Sequence, residues 1–210
     1  MSRILVGNNV KTLFQDVKIC EGEFMEIREL IIGSFEDYWG RFDLALEGLS
    51  REDLAWQPKA DSNPIAFIAW HMARVEDRLI HYFAQGVEEL WVKNNWYTQF
   101  GLEAVDHGVG FTLEQVQDFP LISPEVLSGY LAEVRGDTRT FIHEFALQDL
   151  DVAPGRCPFP PNIPAGSDTW PMGRMFRQLF AELNQHLGQV SYVRGMIKGF
   201  NSQRGFQPPR

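Results

Sequence analysis

Glu182 and His186 stand one helical turn apart in the stretch AELNQHLGQ, among Phe180, Leu183, Leu187 and Val190. A carboxylate without a partner on a buried helix costs on the order of several kcal/mol and would rather take up a proton. A cation resolves that cost. Residues at i and i+4 share one helix face and can both hold one ion, and a third donor from a facing helix completes three points of a tetrahedron. His71 is the candidate third donor. Two imidazoles with one carboxylate and an open position form the donor set of a catalytic rather than a structural zinc site, and they also suit nickel, iron or manganese. The plainer reading is an intrahelical hydrogen bond between Glu182 and His186, with His71 a satisfied histidine at the core edge. A carboxylate-bridged di-iron site would want two ExxH pairs, which these helices lack.

Helical periodicity selects these histidines from the five present. At about 100° per residue, His71 lies roughly 60° from the line through Ile68, Met72, Val75 and Leu79, and so edges the core. His186 falls within about 40° of the centre of its own apolar stripe, with Glu182 on the same flank. His81 lies roughly 140° from its stripe, which predicts a solvated ring. His143 lies nearly opposite the stripe of Leu127, Val134 and Phe145 and is predicted to face water. His107 falls in a long connection where periodicity has no meaning.

Four long amphipathic segments must position these residues. The first runs over about 23–49, with Ile27, Ile31, Phe35, Tyr38, Phe42 and Leu49 in register. The second opens at Asn63-Pro64, read as N-cap and first helical residue, and carries Ile68, Met72, Val75, Leu79 and Phe83. Ser123-Pro124 opens the third, and the fourth covers about 171–199. Between the second and third lies a connection over about 85–122. Thr112 and Gln115 have capping-box spacing there, which predicts a short helix at TLEQVQDF. Residues 151–170, rich in Pro and Gly, predict an ordered loop or lid. Beyond RILV near the start no strand alternation is evident. The expected fold is all-α, a four-helix bundle with a long crossover connection between helices 2 and 3.

Length and composition bound the rest. The 210 residues suffice for one domain over 1–210, with about 20 N-terminal and about 8 C-terminal residues peripheral. The formal charge of −9 argues against a nucleic-acid backbone or an anionic membrane as partner. Cys20 and Cys157 are read as two reduced thiols, one disulfide being the alternative. With no apolar leader core in MSRILVGNNVKTLF and no membrane-length apolar run, a cytoplasmic protein is expected.

Two motifs carry a family likeness. NPIAFIAWHMARVEDRLI resembles the second-helix motif of the DinB/YfiT-like superfamily, an apolar run leading to a His with a Glu five residues on, here His71 and Glu76. ELNQHLGQVSYVRG resembles that superfamily's last-helix motif, a ligand four residues before a His, then Gly, a polar residue and Arg; here these are Glu182, His186, Gly188, Gln189 and Arg194. The resemblance implies a four-helix bundle with a divalent metal, commonly nickel or zinc, on three side chains. It implies His71, Glu182 and His186 as the ligands, although three histidines are the commonest set and Glu182 departs from it. Some relatives are thiol-dependent transferases or isomerases using mycothiol or bacillithiol, so a low-molecular-weight thiol is an implied cofactor.

The functional expectation is a metal-dependent enzyme acting on a small molecule, a transferase, isomerase or hydrolase. The alternative is a non-catalytic binding or dimerisation bundle whose long aromatic connection, with Trp91, Trp96, Tyr97 and Phe100, supplies an interface; a homodimer suits both. Arg74 and Arg78 are read as solvated helix-edge arginines, contact with an acidic substrate being the alternative. Trp70 and Tyr82 are read as packing, Cys157 as inert, and Glu76 with Arg194 as an interhelical ion pair at most.

Overall fold

Ser123 caps a helix as its sequence demands: its side chain accepts from the Val126 N–H, and Pro124 takes the first helical position. The computed structural model containing it describes residues 26–160 and 170–199. RILV, Cys20, residues 23–25 of the first expected helix and 161–169 of the expected loop lie outside the described residues. Within them the chain is all-α. Four long helices are α1 (Ile27–Leu46), α3 (Ile65–Asp77), α7 (Pro124–Glu144) and α8 (Met172–Lys198). Short helices α2 (Arg51–Ala55), α4 (Leu90–Lys93), α5 (Trp96–Phe100) and α6 (Leu113–Gln117) lie between them. Capping boxes start two of these, Ser50 with Asp53 at α2 and Thr112 with Gln115 at α6. The latter is the helix that the TLEQVQDF spacing predicts.

Helices α1 and α3 each pack against both α7 and α8. The four bury one core, with Phe35, Phe42, Met72, Tyr130, Leu179 and Leu183 near its centre. Helix α3 also touches α2 and α4, and every side chain from Ile65 to Arg74 is buried. Ala66, Ala69 and Ala73 let its neighbours approach. Asn63 does not cap it: Pro64 holds the cap position in an extended conformation, and no side chain caps the first turn.

Past Asp77 the helix continues as a π-helical run over Arg78–Gln85 and stops at Gly86, whose φ of 73° is left-handed. Arg156 caps this end, its guanidinium donating to the Phe83 and Ala84 carbonyls at 2.9 Å each. The aromatic connection turns two of its four named rings inward, while Trp96 and Tyr97 stay half-buried. Trp91 and Phe100 are fully buried, and their rings lie 5.4 and 5.8 Å from Tyr130 of α7.

Candidate metal centre

Helices α3 and α8 run in opposite directions, so Phe83 meets Trp170 at one end while His71 meets His186 further along. The rings of His71 and His186 are edge to face at 5.2 Å. Glu182 Oε1 lies 3.2 Å from His186 Nε2 and 3.9 Å from His71 Nε2. One ligand atom from each residue falls within 4.8 Å of the other two. His71 is buried, and Glu182 and His186 are half-buried. Periodicity therefore placed all three as the structure does.

What each residue does with its other atom matters as much. His71 Nδ1 donates to the His107 carbonyl at 2.8 Å, which puts the proton on Nδ1 and the lone pair on Nε2. His186 Nδ1 donates to Gln189 Oε1 at 2.8 Å, with the same consequence. Gln178 Nε2 reaches Glu182 Oε2 at 3.4 Å. Each residue is thus held from behind and presents one acceptor forward, the arrangement that outer partners give to metal ligands. The imidazoles of His186 and then His71, facing Glu182 through Nε2, favour its charged form and hold its carboxyl well below the usual carboxylate range. In return Glu182 favours a second proton on His186, at Nε2, and so raises its pKa. Such a set draws positive charge, as a proton or as a cation, and its nitrogen and oxygen donors fit a divalent ion.

The connection supplies a support that periodicity could not find. Gly108 has φ +80°, and a Cβ there would lie 2.9 Å from His71 Nδ1 and 3.0 Å from the Trp70 ring. Only glycine suits both the backbone and the approach. The His107 side chain turns back on its own loop, Nδ1 accepting from Val109 N at 3.0 Å.

A second polar cluster begins three residues further along α3. Asp77 accepts from the Leu90 and Trp91 N–H groups, each at 2.9 Å, and from Tyr130 Oη at 2.7 Å. His81 Nδ1 lies 2.8 Å from Asp77, and its Nε2 lies 3.2 Å from Asp137. Arg74 pairs with Asp77 and with Glu89, and Arg78 pairs with the same Glu89 at 2.8 Å.

Three expectations change here. Arg74 and Arg78 are not solvated, because Glu89 and the loop carbonyls surround them. His81 is buried because α7 brings Asp137 to it, and the π-helical run displaces it from the angle an α-helix would give. Glu76 and Arg194 do not meet in an ion pair at one level, since antiparallel α3 and α8 carry them to opposite sides of His71. Glu76 accepts from Trp39 Nε1 at 3.3 Å, and Arg194 donates to the Ala45 and Glu47 carbonyls. Trp70 is fully buried packing, and Tyr82 stacks on Arg78. His143 is exposed, as predicted. Cys157 is a half-buried free thiol.

Comparison with known proteins agrees with this architecture. The family model of the DinB superfamily matches residues 34–190, more than half of the chain. The crystal structure of a conserved protein from Enterococcus faecalis superposes with a TM-score of 0.68 at 18% identity, over 84% of this chain and 100% of that one. At that identity the likeness is one of fold. No curated protein matches the chain.

Proposed function

From the premise that the chain belongs to the DinB superfamily, we propose that it is a metal-dependent enzyme acting on a small molecule, with one divalent ion on His71, Glu182 and His186. The carrying observation is the convergence of three acceptor atoms, each on a side chain whose other polar atom is engaged elsewhere. The donor set suits nickel or zinc first, and iron or manganese next. Such an ion, when bound, would act as a Lewis acid and lower the pKa of a thiol or water. The chain's own residues orient it. The His107 carbonyl and Gln189 select the Nδ1–H tautomers, and Gln178 turns the Glu182 carboxylate.

Transfer to or from a low-molecular-weight thiol, or hydrolysis, is the reaction class proposed. The acidic charge favours a small molecule over nucleic acid as partner. Among the described residues no helix is long and apolar enough to cross a membrane, which supports the proposal of a cytoplasmic protein. Homodimerisation is compatible with this reading.

Elemental mass spectrometry of untagged protein purified without chelator tests it, beside His71→Ala and Glu182→Ala. Near-stoichiometric metal in the parent, lost in both variants, is expected. A parent that stays metal-free after reconstitution would sink the proposal and leave a non-catalytic binding bundle.

A further inference from the structure

A cavity of about 140 Å³ opens beside Glu182, between α3, α8 and the loop strapped across the end of α3. Val75, Leu79, Val109, Phe159 and Trp170 give it a mostly apolar wall. Trp170 is fixed edge to face against Phe159 at 5.1 Å and against Phe83 at 6.4 Å. A buried apolar cavity of about 150 Å³ takes up one benzene-sized molecule. The volume therefore corresponds to a single ring or a branched alkyl group of similar bulk.

Arg74 and Arg78 also border this space and would suggest an anionic ligand. Their hydrogen bonds argue otherwise. Arg74 gives Nε to the Asp106 carbonyl, Nη1 to Asp77 and Tyr130, and Nη2 to Glu89. Arg78 gives Nε to the Pro158 carbonyl, Nη1 to Glu89 and Nη2 to the Phe159 carbonyl. All three nitrogens of each guanidinium are engaged within the chain. Two arginines thus face Asp77 and Glu89 behind the wall, and Glu182 is the carboxylate on the wall itself. An anion entering here would meet the Glu182 carboxylate beside two arginines whose charges Asp77 and Glu89 already balance.

We infer that this cavity receives the uncharged, apolar end of the substrate, a group about one aromatic ring in size. That end packs between Val75, Leu79 and Trp170 and leaves the reacting atom toward Glu182. Arg78 builds the wall by holding residues 158 and 159 against the π-helical run, while Arg74 ties Asp106 of the connection to α3. Which end of the substrate reacts rests on the proposed function; occupancy of the cavity does not.

Fluorine NMR titration of the full chain with 4-fluorobenzyl alcohol and 4-fluorobenzoate tests the inference, on protein as purified and again after chelation. After chelation the alcohol is expected to bind at least tenfold more tightly than the benzoate. Val75→Phe and Val109→Phe, which fill the cavity from α3 and from the connection, should each weaken the alcohol at least tenfold while circular dichroism stays that of the parent. Equal or tighter binding of the benzoate would overturn the inference, as would undiminished alcohol binding in a folded variant or no binding to the parent. Binding of the alcohol to a parent that takes up no metal would uphold the cavity and remove the metal proposal alone.

Discussion

The cluster around Asp77 and the group made by His71, Glu182 and His186 both hang from α3, yet they settle their charges in opposite ways. Asp77 is 0% exposed and is surrounded by Arg74, His81, Tyr130 and two backbone N–H groups. Burial by itself would raise its carboxyl, but His81 and Arg74 outweigh that and hold it low. Glu182 keeps 29% of its side chain exposed, and among the described residues its ion partners are two imidazoles. The chain provides its own permanent cations to the first cluster. In the second it gathers acceptors and supplies no arginine or lysine among the described residues. A cluster closed on itself ties elements together; one that converges without closing is built for something from outside.

Removing the Asp77 carboxylate should have the largest effect. Asp77→Ala leaves two charged side chains and two buried N–H groups without their acceptor, and should cost about 3–5 kcal/mol in urea unfolding. Glu182→Ala, measured on chelated protein, should cost less than about 1 kcal/mol, because its pairs are partly solvated. Equal costs would erase the distinction between the clusters.

A change behind the ligands sharpens the comparison further. Gln189→Ala removes the acceptor that orients His186 and should weaken metal binding by about 10–100-fold in a competition titration. Stability of the chelated protein should barely change. A large stability loss with unchanged metal affinity would make Gln189 a packing residue.

The smallest effect is a pH dependence in the closed cluster. Burial pushes the His81 imidazolium down, but the hydrogen bond and charge of Asp77, with Asp137 beyond, more than offset it and leave the pKa raised. A histidine raised on folding contributes stability fully below its unfolded pKa of about 6.5 and loses it as pH rises through the folded value. The stability difference between the parent and His81→Gln should therefore shrink from pH 6 to pH 9, by about 1 kcal/mol or less. A difference that widens with pH would show that the ring folds neutral.

Much of this was legible in the residues, for identifiable reasons. Helices α6 and α7 announce themselves through their caps, and α8 through one sustained stripe, which is why Glu182 and His186 fell on the correct flank. The same method places His71 on α3 but fails further along it and in the π-helical run that follows. A helix buried around its whole circumference has no polar face from which to measure an angle, so His81, Arg74 and Arg78 were assigned to water. The partner of His71 is a backbone carbonyl, which leaves no mark in residue type; only the glycine after His107 hints that the chain must come close there. Glu89, which joins both arginines, sits at the head of a four-residue helix too short to carry a pattern.

The burial of α3 on every side has a consequence for the nascent chain. Its partner α8 is synthesised much later, ending at Lys198, whereas α3 is complete at Asp77. At ribosomal rates of about 5–20 residues per second, the apolar flank that α8 will cover stays bare for about 6–24 s. Throughout that interval the polypeptide carries the hydrophobic half of an interface whose other half does not yet exist. Escape from aggregation during synthesis therefore depends on how far α1, α7 and the short intervening helices can shield α3 before α8 emerges.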